Sequence, residues 1–213
     1  AVALYRTLGS ARWELSARQS LGAALLPLGR ADAALEQFRQ VAAGEDLWNR
    51  CQGALSVGAV HEHRGEYRQA MEQFDRALDI VETGRDPAAL AEGRVYVRSN
   101  IANVSLACGD YREALELAEA WGADAERLGL RDQFLEAQMT AGVCLLSLGR
   151  HHAARARLER VLESARFLGD RGRAATAQAW LCALFAELGQ FDESRRQGKD
   201  ALQAALQTGC RRA

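Results

Sequence analysis

Glycine recurs along this 213-residue chain on two interleaved combs. Gly29, Gly65, Gly109, Gly149 and Gly189 stand 36, 44, 40 and 40 residues apart by subtraction. Gly9, Gly44, Gly84, Gly129, Gly169 and Gly209 step by 35, 40, 45, 40 and 40. Two series out of phase with one common period mean a single supersecondary unit used again and again. Glycine belongs just past a helix end, where the chain turns left-handed and a Cβ is costly. Each unit therefore reads as helix A, a tight turn at the first glycine, helix B, and a second turn.

The clearest copy is Cys108-Gly109-Asp110-Tyr111-Arg112-Glu113-Ala114-Leu115. After its turn, Tyr111, Ala114, Leu115, Ala118, Trp121, Ala125 and Leu128 fall at three- and four-residue steps, one apolar stripe on a helix. Nothing alternates as a strand would. The two prolines, Pro27 and Pro87, sit where a helix tolerates them, near an end and at a first turn. The expected helices are Arg12–Leu28 and Ala31–Ala43, Asp46–Arg64 and Tyr67–Glu82, Pro87–Cys108 and Tyr111–Leu128. Arg131–Leu148 and His151–Leu168 follow, then Arg171–Leu188 and Phe191–Gln207. Ala1 to Ser10 reads as the last turns of a helix B.

The pattern resembles the tetratricopeptide repeat family. The small mid-helix residues of helix A are Gly22, Gly58, Ala102, Gly142 and Cys182. The turn residues are Tyr67, Tyr111, His151 and Phe191. In helix B, Ala34, Ala70, Ala114 and Ala154 are followed by Phe38 and Phe74. The units are longer than the common form and look like the variant of kinesin light chains and of helical arms of large bacterial regulators. The resemblance implies an all-α, right-handed superhelix, a solenoid of about five helix pairs. Helix A would line its concave side and helix B its convex side. The fifth unit departs, with Ser194 and Gly198 at helix B packing sites, so a looser helix B is expected there.

A solenoid buries each hairpin only against its neighbours, so residues 1–213 are expected to form one domain. The chain opens in mid-repeat, and Ala201, Leu202, Ala205 and Leu206 face a helix the sequence does not supply. The expectation is a fragment of a larger protein, with self-association through the uncapped C-terminal end open to it. No apolar run approaches the roughly 20 residues a membrane span needs. Five cysteines, odd in number and without a C-x-x-C spacing, do not make a secreted disulfide framework. The expected compartment is cytoplasmic.

Chemistry-bearing constellations are sparse. His61 and His63 lie two apart, on different sides of a helix. His151 and His152 flank a turn, so no metal site is expected. No phosphate loop, dinucleotide fingerprint or nucleophile–base pair stands out, so neither a cofactor nor catalysis is expected. Formal net charge is -1, which argues against direct nucleic-acid binding. Charge is nonetheless uneven. Asp110 to Glu126 is acidic and Arg150 to Arg173 basic. These stretches read either as solvated helix faces or as patches that contact neighbouring domains of the parent chain or another copy.

The best candidates for binding lie on helix A of the third unit, at Tyr96, Arg98, Asn100 and Asn103. Asparagine is a poor helix-interior residue because its amide competes for backbone hydrogen bonds. Two at i and i+3 share a face, and each offers a donor and an acceptor that suit an extended peptide backbone. Long-repeat relatives hold peptides this way, as the resemblance implies. The other reading is that Asn100 and Asn103 cap contacts between helices. Neighbouring units would add Glu62 and His63, then Gln138, Met139 and Trp180 to the same concave groove. The lysine–asparagine clamp of chaperone-tail receptors is absent. The expected role is a non-catalytic protein- or peptide-binding arm, the sensor or interaction module of a larger signalling or transcriptional regulator. The alternatives are a passive assembly scaffold and a peptide-pheromone receptor domain.

Overall fold

A computed structural model describes residues 1–84 and 90–207. Among them every regular element is an α-helix. They are α1 (Val2–Thr7), α2 (Ala11–Leu25), α3 (Ala31–Ala42), α4 (Leu47–His63), α5 (Tyr67–Thr83) and α6 (Ala91–Cys108). The second half holds α7 (Tyr111–Arg127), α8 (Arg131–Ser147), α9 (His151–Leu168), α10 (Arg171–Glu187) and α11 (Phe191–Gln207). α2 stops at Leu25, and although Leu26 keeps helical angles at φ -60° and ψ -52°, Pro27 has no backbone N–H with which to carry the helix on. The expected start of α6 at Pro87 lies outside the described residues.

The first comb does what its spacing predicts. Gly29, Gly65, Gly109, Gly149 and Gly189 all have φ between 70° and 88°. At Gly65 two bonds close the turn. Gly65 N donates to Glu62 O at 2.8 Å and Glu66 N to His61 O at 2.9 Å, satisfying carbonyls that a helix end leaves open. The second comb holds only in part. Gly9, Gly129 and Gly169 are left-handed, but Gly84 is extended at φ -61° and ψ 141°. A Cβ there would run into the Leu90 side chain and lie 3.0 Å from Ile80 O. At Gly44 it would meet Leu15 Cδ1 at 2.9 Å. These two glycines are present for space, not for conformation, and Gly209 lies outside the described residues.

The chain forms two compact units, residues 1–108 and 109–213. In the first, α2 packs on α3, α3 on α4, α4 on α5 and α5 on α6, while α4 also touches α6. In the second, α7 through α11 pack in sequence and α8 also touches α10. Within each unit a helix A thus packs on the neighbouring helices B and, at these two places, on the next helix A.

The seams follow one rule of size. A Cβ on Gly22 would strike the Phe38 ring, one on Gly58 the Phe74 ring, and one on Gly142 would come 2.9 Å from Leu158 Cδ2. The notch on helix A admits a large side chain from helix B. Phe38, Phe74 and Leu158 are essentially buried, worth roughly 1.5–3 kcal/mol each. In the last hairpin the sizes trade places, with Cys182 on α10 filling the room left by Gly198 on α11. Ser194 Oγ donates to Cys182 O at 2.9 Å, so the start of α11 is tied to α10 rather than loose. Farther along, Leu202 and Leu206 stay exposed.

Candidate functional site

The turn glycines Gly65 and Gly109 are 44 residues apart by subtraction, so positions 48, 52 and 56 on α4 match 92, 96 and 100 on α6. Four-residue steps keep each triplet on one helix face. Where α4 and α6 meet, these faces border a cleft of about 460 Å³. α4 supplies Trp48, Gln52 and Ser56, and α6 supplies Glu92, Tyr96 and Asn100. Buried Leu55 and half-buried Ala59 complete the lining. Asp46 fixes the start of α4 by accepting from Asn49 N at 3.3 Å. Gly93 lets α6 come close, since a Cβ there would touch Val81 Cγ1 at 3.0 Å and Trp48 Cζ3 at 3.4 Å.

The polar groups of the cleft are partly committed. Asn100 Nδ2 donates to Tyr96 O, one turn back on its own helix, at 2.7 Å, and Ser99 Oγ donates to the same carbonyl at 2.8 Å. Asn100 is therefore neither a bare peptide clamp nor an inter-helix cap. It bonds its own backbone, the habit that makes asparagine awkward inside helices, and its carbonyl oxygen is left as an acceptor. Ser56 Oγ accepts from Gln19 Nε2 of α2 at 2.7 Å and keeps its proton to donate. Among the described residues, the Gln52 side chain makes no hydrogen bond and Glu92 no ion pair. Trp48 remains 37% exposed.

Of the nine residues expected to line a groove, the structure brings Tyr96 and Asn100 into this cleft. Asn103 is half-buried on α6 but does not border the cleft. Arg98 is two residues from both Tyr96 and Asn100 and so turns to another side of α6. Glu62 and His63 belong to the last turn of α4 and are also off the cleft. Burial pushes the Glu62 carboxyl above the usual carboxylate range. The other three belong to the second unit. Met139 is 5% exposed and part of the core around Leu158 and Leu181, so it packs and does not face a ligand. Gln138 Oε1 accepts from the Arg157 guanidinium at 2.5 Å. Both miss the register of the cleft-lining positions. Asn100 matches Thr140 at a 40-residue offset, and one or two residues short of that turns a side chain by about 100° per residue. Trp180 keeps the register and is 37% exposed.

Trp48, Gln52, Ser56 and Glu92 were missed by the sequence reading. The signal existed: subtracting 44 from Tyr96 and Asn100 lands on Gln52 and Ser56.

On the second unit the matching face is occupied by its own charges. Asp170 caps α10, accepting from Arg173 N at 2.9 Å. Arg173 reaches Asp170 Oδ2 at 2.6 Å, Asp132 Oδ1 at 3.5 Å and Glu136 Oε2 at 3.9 Å. The acidic and basic stretches also meet each other, as Arg157 on α9 pairs with Glu119 on α7 at 2.6 Å. Arg155 pairs with Glu159 at 2.8 Å and lies 5.2 Å over the Phe185 ring.

Burial holds the Cys51 and Cys144 thiols up at about 11. Among the described residues no three His, Cys, Asp or Glu side chains are placed to hold a metal ion. No described helix is long and apolar enough to cross a membrane.

No protein-family model matches the chain, and no curated protein sequence matches it. Solved structures do. The chain is similar to a Signal Transduction ATPase with Numerous Domains (STAND) protein with a tetratricopeptide repeat sensor from Pyrococcus horikoshii. The TM-score is 0.79 at 14% identity over 94% of this chain and 31% of that one. It is similar to aspartyl phosphate phosphatase F from Bacillus subtilis, with TM-score 0.73, 14% identity, 93% of this chain and 49% of that one. A Rap protein complexed with Competence and Sporulation Factor matches at TM-score 0.75 and 18% identity, over 89% of this chain and 53% of the other. The chain thus spans about half or less of these three proteins. The fold is a tetratricopeptide-type helical repeat, an all-α solenoid of the kind also seen in nearly identical TPR-like repeats of kinesin light chain type from Podosopora anserina.

Proposed function

We propose that this chain is a non-catalytic binding domain, and that its α4–α6 cleft takes an extended segment of a protein or peptide. The observation that carries this reading is the cleft itself. Two helix A faces in register present exposed Trp48 beside Gln52, Ser56, Tyr96 and the Asn100 carbonyl oxygen. An extended backbone has alternating N–H and C=O groups, and these side chains supply acceptors and donors for both. The fold neighbours support it by analogy. One is a repeat sensor of a STAND protein, and another was captured with Competence and Sporulation Factor.

In this reading the two units are stretches of one repeat array, a sensor or interaction arm of a larger cytoplasmic regulator. Ligand shifts a population of conformations by binding one better than another. The test is selection of peptides from a random display library on the intact chain, followed by calorimetric titration of the selected peptide. Submicromolar binding that falls about fivefold in Gln52→Ala, near 1 kcal/mol for a lost hydrogen bond, supports the cleft. Selected peptides that ignore the substitutions Gln52→Ala and Trp48→Ala would place binding elsewhere.

A further inference from the structure

The cleft is not the same from end to end. Its Ser56–Asn100 end is amide and hydroxyl. Its Trp48–Glu92 end is aromatic and anionic, and Tyr96 sits one turn beyond Glu92. Among the described residues, Glu92 is the only charged one in the lining. It is exposed and unpaired by any described residue.

We infer that the Trp48–Glu92–Tyr96 end of the cleft is a pocket for the basic side chain of a lysine or arginine in the bound segment, an inference that rests on the segment-binding reading above. An aromatic face attracts a cation through its quadrupole, most strongly for Trp. Trp48 and Tyr96 come from the two opposing helices, so a cation entering between α4 and α6 meets a ring from each. The carboxylate completes the arrangement with a charge-assisted hydrogen bond, and a guanidinium, planar and weakly hydrated, suits ring and carboxylate together. The same pocket disfavours an acidic side chain, which would face Glu92 with no cation among the described lining residues to offset it. Among the described residues, the neighbouring cation on α6 does not fill it. Arg94 lies two residues past Glu92, on another side of α6.

Glu92 has a second role available, because it stands in the first turn of α6 and a carboxylate there stabilises the helix dipole. That role affects stability alone and gives no preference among ligands, so the two separate in one experiment. A peptide selected on the full chain is made in two forms, with arginine and with citrulline, its neutral near-isostere, at the basic position. In parallel, acetyl-arginine methylamide and its citrulline analogue are titrated into nitrogen-15-labelled protein, and the Trp48 indole resonance is assigned by its loss in Trp48→Phe. The expected results are enrichment of Lys or Arg at one position of the selected peptides and a Trp48 shift at least fivefold larger with the arginine probe. Glu92→Gln should weaken the arginine peptide about tenfold and the citrulline peptide less than twofold. Selected peptides without a basic position, or equal weakening of both forms, overturn the pocket and leave the cleft reading standing. A Glu92→Gln variant that melts lower but keeps the wild-type arginine-to-citrulline ratio also overturns it. If the library yields no binder and neither probe moves the Trp48 resonance, the cleft reading falls with it.

Discussion

The α4–α6 face and the α8–α10 face are built from the same positions of the same repeat, yet one is open and the other is engaged with itself. At the first position of each triplet the first unit has Trp48 and Glu92, where the second has Asp132 and Gly172. At the next stand Gln52 and Tyr96 against Glu136 and Thr176, and at the last Ser56 and Asn100 against Thr140 and Trp180. On the second unit Arg173 draws Asp132, Glu136 and Asp170 together, and Thr140 is buried. On the first unit no described residue neutralises Glu92. Hairpin geometry is thus common property, while availability for a ligand depends on whether neighbouring side chains have already found one another.

The largest effect should come from disturbing the seam behind the open face. Gly53 on α4 lies so close to α3 that a Cβ would enter the backbone of Ala42. Backbone cannot rotate away as a side chain can. In the second unit the matching pair is reversed, with Ala137 on α8 against Gly122 on α7 and a Cβ added to Gly122 only 3.2 Å from the Ala137 methyl. Gly53→Ala should cost about 3 kcal/mol, the upper end for overpacking, and lower the melting midpoint by roughly 6–12 °C. Gly122→Ala should cost about 1 kcal/mol, since a few tenths of an ångström relieve it and alanine regains helix propensity. Equal midpoints for the two variants would show that the α3–α4 approach is softer than its geometry states.

Breaking the closed face comes next. Arg173 has a side chain only 16% exposed, while Asp132 is 86% exposed. Arg173→Gln leaves three carboxylates facing one another without their cation. Exposure of the acids limits the cost to about 1 kcal/mol, and added salt should shrink it, because screening weakens repulsion among exposed charges. Thermal melts at low and high ionic strength test this. A cost independent of salt would mean that Arg173 acts through packing of its stem, and the contrast between the faces would lose its electrostatic basis.

A smaller effect sharpens the comparison on the ligand side. Asn100→Ala removes the acceptor at the amide end of the cleft and should weaken a selected peptide about fivefold, near 1 kcal/mol. Thr140→Val, at the same position of the second unit, should leave that affinity unchanged while altering stability. If both variants weaken binding alike, the open face is not special.

These contrasts were unequally visible in the sequence. Hairpins, turn positions and helix ends could be read because a left-handed turn demands glycine and each helix restarts two residues later, as at Tyr67, Tyr111 and His151. The role of Gly44 and Gly84 could not, since a glycine needed for room looks the same as one needed for φ. Size-swapped seams such as Cys182–Gly198 looked like departures, because complementarity belongs to a pair of residues and no single position reveals it. For the site, polarity on helix A points to Tyr96 and Asn100, which border the cleft. It points equally to Gln138, which accepts from Arg157, and to Met139, which is buried in the core, because polar or adaptable character carries no register. Trp48 carries no such mark, because an aromatic at a helix start becomes part of a cleft only once the facing helix is in place.

The end of α4 gives the finest test of where the binding face stops. Glu62 is half-buried and its carboxyl is held above its ordinary range by desolvation alone. The folded state therefore keeps its proton to higher pH than the unfolded chain does. Between the two values the folded protein binds more protons, so stability falls as pH rises through that window, and the penalty is complete above the folded value. Glu62→Gln should remove the penalty. The variant should melt slightly above the parent at pH 7, by no more than a few degrees, and the two should converge as pH drops below the ordinary carboxylate range. Peptide affinity should not change, because Glu62 does not border the cleft. A variant that melts with the parent at every pH but binds peptide more weakly would reverse the assignment. It would put the last turn of α4 on the binding face and extend the open region past Ala59.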